Sequence, residues 1–590
     1  MILQELVRYY ERKARDPDPA RRLPAYGLEL KAIPFVIELA RDGRVIQLVD
    51  TRSVVAGSKK PQARSFLVPH GAKKTSGVSA NLLWDSAEYV IGLDRGRNEG
   101  DGLTPKAAFR ARIDTLPADA KADAGVQAVV AALTRSDWSA IHTHPDWPEI
   151  EKSNPSMTFR IAGDSDLVCQ RPTVATASTA SDDDDGPAAV CLIEGTRQPV
   201  ERLHTSIKNV WGAQTSGASI VSFNARAFES YGKTKRQGEN APIGRRAAFA
   251  YTTALNHLLA AGSRNRAQVG DASTVFWADR PTRFDSDEFT LADFFGESKD
   301  DPDRGVRAVQ ALFEALASGQ IPTTERDARF FVLGLAPNAA RLSVRFWLTA
   351  PLTDLAPRIL QHFADLRVVR RFDSEPLAPS LFRLLSGLAA QGKIDNFPPR
   401  LGGEWMRAIL EGRPYPATLL NAAVTRCKAE QDVIYLRAAV LKAWLNRDHR
   451  RRHPDMAPDY SHFTETLDMQ QSDVPYRLGR LFAVLERIQQ QAQPGINATI
   501  RDRYYSAAST TPVAVFSTLM RLKNAHLRKL SDGQAAWFER TIGEIAEALT
   551  DFPRQLSLPH QGRFALGYYH QRQSFFTRKD TVDNAKPLEA

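Results

Sequence analysis

Arg329-Phe330-Phe331-Val332-Leu333-Gly334-Leu335 and Leu342-Ser343-Val344-Arg345-Phe346-Trp347-Leu348 are two apolar runs joined by Ala336-Pro337-Asn338-Ala339-Ala340. Both are rich in β-branched, aromatic and aliphatic residues, and turn-type residues lie between them, so they predict a β-hairpin. On the C-terminal side, Ala356 to Leu445 takes up helical periodicity, and on the N-terminal side Ala247 to Ala261 is a strong helix candidate. Strands segregated from helices in this way predict an α+β chain with a mainly helical middle region, 241–445, and strands near 329–349.

Moving toward the N-terminus, the pattern becomes punctuated and strand-rich. Arg44-Val45-Ile46-Gln47-Leu48-Val49 and Ser65-Phe66-Leu67-Val68 are short β-type runs bounded by glycine, proline or polar residues. Met1 to Arg15 predicts an amphipathic first helix. Leu3, Leu6, Val7 and Tyr10 recur at helical spacing, and Glu5, Arg8, Glu11 and Arg12 interrupt any secretory core. Thr173 to Pro187, with the run Asp182–Asp185, is low in complexity and predicts a solvated, mobile insertion. Residues 1–240 are therefore expected to form a mixed α/β region.

Beyond the hairpin, Ser298–Asp303 predicts a connector on its near side, followed by a helix with Val306, Val309, Phe313 and Leu316 on one stripe. On its far side, 446–473 is polar, carries Arg450, Arg451 and Arg452, and predicts a linker. An antiparallel helical bundle is expected over 474–580, able to fold alone. Leu478, Leu481, Phe482, Leu485 and Ile488 form one apolar face. Thr511-Pro512 is an N-cap with proline at the first helical position, and Ser531 to Gln534 has capping-box spacing.

The chain has 590 residues, 43% of them hydrophobic and 25% charged, with a formal net charge of +10. Length alone suggests about three or four domains. The positive balance favours a polyanionic partner, nucleic acid first and membrane surface second. Cys169, Cys191 and Cys427 are odd in number and widely spaced, which argues against disulfides or a structural zinc site and fits a reducing cytoplasm. No apolar run approaches the roughly 18 residues needed to span a bilayer.

Active-site templates fail on particular residues. Tyr231-Gly232-Lys233-Thr234 resembles the end of a P-loop, but the required earlier glycine position is Ala227. His142-Thr143-His144-Pro145-Asp146 is the best metal candidate, with two histidines expected on one side of a strand. A catalytic metal needs about three ligands and an open position, and a polar strand end is the simpler account. No cofactor and no catalytic residue are expected.

Several blocks carry a resemblance. They are Ala250-Tyr251-Thr252-Thr253-Ala254-Leu255-Asn256-His257-Leu258-Leu259, Gly270-Asp271-Ala272-Ser273-Thr274-Val275-Phe276-Trp277, and Leu333-Gly334-Leu335-Ala336-Pro337-Asn338-Ala339-Ala340-Arg341. Val221-Ser222-Phe223-Asn224 with Phe228-Glu229-Ser230-Tyr231-Gly232, the block Pro494 to Tyr504, and Phe564 to Gln573 complete the set. In this order they resemble the large subunit of the type I-C CRISPR Cascade, from the first helix nearly to the C-terminus.

The resemblance implies a non-enzymatic subunit at one end of a crescent of backbone subunits carrying a CRISPR RNA. It implies reading of a protospacer-adjacent motif in double-stranded target DNA, strand separation, holding of the displaced single strand, and recruitment of a helicase-nuclease. Target sequence beyond the motif is read by RNA–DNA pairing. It further implies a small subunit made from an internal start, with Met469 favoured and Met456 the alternative.

Motif reading needs cations on phosphate and amide or hydroxyl groups on base edges. Lys73, Lys74, Thr75, Ser76 and Asn81 have that mixture, as do Gln214, Thr215 and Asn224. Lys233, Lys235 and Arg236 suit the DNA backbone. In the bundle, Arg477, Arg480 and Arg487 are expected on a face away from the apolar stripe. With Arg501, Arg503 and Lys523 they would line a single-strand groove. Two other readings stand beside this one. A metal-dependent nuclease built on His142, His144 and Asp146 predicts divalent-dependent cleavage lost in His144→Ala. A structural scaffold of a ribonucleoprotein predicts unchanged DNA affinity after Lys73, Lys74 and Asn81 are changed to alanine.

Overall fold

Ile2–Ala14 forms helix α1, with Leu6 and Tyr9 inside and Arg8 and Glu11 outside. The computed structural model describes residues 1–54, 61–71, 78–95, 104–180, 188–234, 236–282, 291–295, 307–308, 311, 314, 327–393, 396–398, 400–457 and 460–576. They fall into two compact units, one of Met1–Ile207 with Ser219–His257, the other of Lys208–Ala218 with Leu258–Ala590.

The first unit includes strands β1 (Leu28–Ala32), β2 (Phe35–Leu39), β3 (Val45–Asp50), β4 (Ser65–Pro69), β5 (Trp84–Ser86) and β6 (Ser156–Ile161). One sheet has the order β3-β2-β6-β5, with β2 and β6 parallel and the outer pairs antiparallel. The parallel pair explains why Phe35-Val36-Ile37 and Met157-Thr158-Phe159 are buried without alternation: helices of the long crossover pack over the central strands. Phe109, and Val129 on helix α2 (Ala124–Arg135), belong to the same core. β1 and β4 form a separate antiparallel ribbon, from Leu28 opposite Pro69 to Ala32 opposite Ser65. Thr173–Pro187 is not all loop. Pro172–Ala180 is helix α3, because Val174 and Ala177 give it an apolar face that is buried. Asp182–Asp185 lie outside the described residues.

Along the chain, helix α4 (Arg245–Leu258) ends where the first unit gives way to the second. The second unit holds an antiparallel sheet in chain order: β7 (Arg266–Val269), β8 (Ala272–Ala278), β9 (Arg329–Asn338) and β10 (Arg341–Pro351). The expected hairpin is present, but its turn is tighter than its composition suggests. Asn338 pairs with Arg341, so Ala336-Pro337-Asn338 belongs to β9 and only Ala339-Ala340 turn the chain. Ala339 takes a left-handed φ of 52° to do so. The connector Ser298–Asp303, and Val306, Val309, Phe313 and Leu316 after it, lie outside the described residues.

The sheet is followed by α5 (Leu352–Leu366), α6 (Leu381–Leu388), α7 (Leu401–Glu411), α8 (Ala417–Glu430) and α9 (Tyr435–Arg452). Then come α10 (Val474–Ala492), α11 (Ile500–Ala508), α12 (Pro512–Leu527), α13 (Asp532–Ala546) and α14 (Leu558–Ser574). The 446–473 stretch differs from the expected linker. Its first residues complete α9, where Asn446 and Arg447 are buried, and Phe463 is also buried, its N–H donating to Asn446 Oδ1 at 2.8 Å. α14 packs on α10 and equally reaches α8 and α9, so one apolar core runs from the sheet through the bundle.

No helix among the described residues is long and apolar enough to cross a membrane.

Candidate nucleic-acid interface

The β1–β4 ribbon ends where the first basic segment begins. Lys73, Lys74, Thr75 and Ser76 lie outside the described residues, but both ends of their segment are described and fixed. Gly71 N–H donates to Glu29 Oε1 at 3.1 Å, and Trp84 Nε1 donates to the Pro69 carbonyl at 2.8 Å. The Lys31 ammonium sits 5.1 Å from the Trp84 ring centre. On the return, Asn81 N–H donates to Asp85 Oδ2 at 2.9 Å. Leu83 is fully buried in a left-handed conformation, φ 63°, which a branched side chain adopts only when its surroundings hold it there. Asn81 is itself buried. Expected as a base-edge reader, it is 6% exposed.

Gln214 and Thr215 sit in an exposed turn closed by Gly217 N–H on the Gln214 carbonyl, 2.9 Å. Nearby in sequence, Trp211 is 47% exposed, with its backbone N–H held by Ser273 Oγ at 2.9 Å. These residues belong to the second unit.

Asn224 is exposed and opens a long loop of the first unit. Asn240 ties that loop together. Its Oδ1 accepts from Ser230 N–H at 2.9 Å, and its Nδ2 donates to the Gln237 carbonyl at 3.0 Å and the Lys233 carbonyl at 3.3 Å. The tie presents Tyr231, 96% exposed and left-handed at φ 55°. Lys233, expected on phosphate, is half-buried, its Nζ donating to the Glu239 carbonyl at 2.8 Å. Arg236 is exposed, 3.7 Å from the Glu239 carboxylate. Lys235 lies outside the described residues. The sequence places Tyr231 in this segment without giving it a contact of its own, and it does not point to Asn240 as the tie of the loop.

The bundle cations divide sharply. Arg477 and Arg480 are buried, which corrects the expected solvent-facing stripe. Arg477 donates to the Gln471, Glu544 and Ile545 carbonyls, two of them at the C-terminal end of α13, where a helix dipole favours a cation. Arg480 donates to Gln571 Oε1 at 3.1 Å and to the Met469 carbonyl at 3.3 Å. Arg501 is enclosed by Asp432, Asp502 and Glu486, and the Lys523 ammonium is held by Glu539 at 2.6 Å. Arg487 is half-buried beside the Phe576 ring, and Arg503 is exposed. Of the expected groove, then, Arg487 and Arg503 remain accessible. Arg521, Arg528 and Lys529 add exposed charge on and just after α12.

His142 and His144 are not on a strand. His142 ends a single helical turn, Ser139–His142, and packs against Trp147 with ring centres 4.4 Å apart. His144 Nδ1 accepts from Asp146 N–H, and the Asp146 carboxylate is shared with Arg52 at 3.3 Å. Among the described residues no group of three histidine, cysteine or acidic side chains is placed to hold a metal ion.

A family model described as CRISPR-associated protein (Cas_Csd1) matches residues 6–576. No curated protein matches the chain.

Proposed function

The chain belongs to this CRISPR-associated family, the large subunit of type I-C Cascade, and on that premise we propose that it reads the protospacer-adjacent motif of target DNA. In this reading it is a non-catalytic, cytoplasmic component of an assembly with CRISPR RNA and backbone subunits. It helps open the duplex, stabilises the displaced strand and recruits a helicase-nuclease. Lys73 and Lys74 grip phosphate, with Thr75 and Ser76 at base edges. In the second unit Gln214 and Thr215, and separately in the first unit Asn224 with Lys235 and Arg236, are further groups for base edges and phosphate.

The observation that supports this most is how the chain is held on either side of the first segment. Glu29, Trp84, Asp85 and the strained Leu83 fix the backbone on both sides of Lys73 and Lys74. A reader must hold its contacts in register while it rejects wrong sequences, and anchored flanks on a cationic segment serve that.

The test is binding of the RNA-loaded complex to matched duplex DNA, with and without the motif, at two or more salt concentrations. The Lys73→Ala/Lys74→Ala double variant is expected to assemble yet lose motif-dependent binding. If each lysine neutralises one phosphate, the slope of log K against log salt becomes shallower by about 2. Unchanged binding would move the reader to the Gln214–Gln237 segment.

A further inference from the structure

A cleft of about 450 Å³ opens between α10, α13 and α14. Its wall has an unusual charge arrangement. Arg480, Arg487 and Arg540 line it, against the single carboxylate of Glu544. Among the described residues none of these three guanidinium groups makes an ion pair. Arg480 is 1% exposed and donates to Gln571 Oε1 and to the Met469 and Asp468 carbonyls, so three guanidinium groups face the cleft against one carboxylate. Gln491 also lines the cleft, and its Oε1 is buried with no hydrogen-bond partner. An orphan acceptor of this kind costs stability unless something fills it. At the rim Trp537 is 47% exposed, its ring edge-on to Phe575 at 6.2 Å.

An aromatic face, an unfilled amide acceptor and an excess of guanidinium groups over carboxylate around one cleft match the three parts of a nucleotide. The base stacks, its edge hydrogen-bonds, and its phosphate is anionic. The volume is in the range of small-ligand sites. We propose that the cleft takes one nucleotide of single-stranded DNA. Its base lies on Trp537, an exocyclic amine donates to Gln491 Oε1, and its phosphate lies beside Arg487 and Arg540. Cytosine and adenine carry that amine and thymine does not, so the site prefers the first two. This rests on the strand-holding part of the proposed function and adds a location and a base preference to it.

The test uses the full chain and short fluorescent homopolymers of deoxycytidine, deoxyadenosine and thymidine. Wild type should bind the first two about 3-fold more tightly than thymidine, the worth of one net hydrogen bond. Gln491→Leu should erase that difference while leaving thymidine affinity in place. Trp537→Ala should weaken all three by at least about 5-fold, the lower end for one lost stacking contact. Trp537 and Arg540 are both exposed, so Arg540→Ala is a second variant expected to keep the fold, and it should weaken binding most at low salt. Preference unchanged in Gln491→Leu, or affinity unchanged in Trp537→Ala, overturns the cleft as the site. Tighter binding of oligoribocytidine through the same residues overturns the assignment to DNA. Failure of wild type to bind any single strand in a salt-dependent way overturns the strand-holding reading itself, and so separates the two.

Discussion

Asp365 is fully buried, and around it the second unit concentrates its charge. Arg450 lies 2.5 Å from its carboxylate and Arg447 3.6 Å, and the Lys442 ammonium donates to its backbone carbonyl at 3.1 Å. Burial lowers the Lys442 pKa to about 8 from 10.5, more than the nearby carboxylates restore. Between about pH 8 and 10.5 the unfolded chain therefore carries the proton that folded Lys442 has lost, and stability rises with pH across that window. Lys442→Met should flatten the rise, seen as a smaller shift of the urea midpoint between the two ends of the window. A steeper shift in the variant would contradict the account. None of this network was visible in the sequence, where Arg447 and Arg450 read as the start of a polar linker. The same blindness applies to Arg477 and Arg480. Apolar spacing correctly marked Leu478, Leu481, Phe482, Leu485 and Ile488 as core. But α10 is enclosed on nearly every side, and helical periodicity identifies an exposed face only when that face meets water.

Secondary-structure elements were read more successfully than single polar residues. The hairpin and the first helix form where β-type runs and helical periodicity placed them, and helices follow β10 as expected, since those patterns depend on local geometry. Their exact limits depend on partners. β9 runs on to Asn338 because β10 supplies the register. The seam between α10 and α14 also depends on partners. Gly479 lies against the Phe564 carbonyl and Gly567 against the Tyr476 carbonyl, and a Cβ at either would overlap backbone rather than a movable side chain. Gly567→Ala should lower unfolding stability by about 3 kcal/mol, the upper range for overpacking, read from denaturant midpoints. A loss within about 0.5 kcal/mol, typical of surface changes, would show that the two helices can part at little cost.

Across the whole molecule, the sharing of one core by the bundle and the preceding helices bears on any shorter product. We expect a chain beginning at Met469 to keep α10 to α14 but to lose α8 and α9. The α14 surface around Gly562, which packs on Leu420, Leu441 and Leu445, would then face water. Alone, this segment should self-associate or bind an apolar partner, as measured by light scattering across concentrations. A stable monomer at all concentrations would show that the face repacks. The two-unit division was likewise hidden from the sequence, because Lys208–Ala218 leaves the run of the first unit and joins the second, an exchange that no composition shift marks.

The position of α14 also matters while the protein is being made. The helix that completes the shared core comes after roughly 130 residues of chain counted from α8, so a ribosome adding about 5–20 residues per second leaves those surfaces open for on the order of ten seconds. Through that interval the nascent chain carries an apolar trough with no lid, and the cell must shelter it until its own last strut emerges.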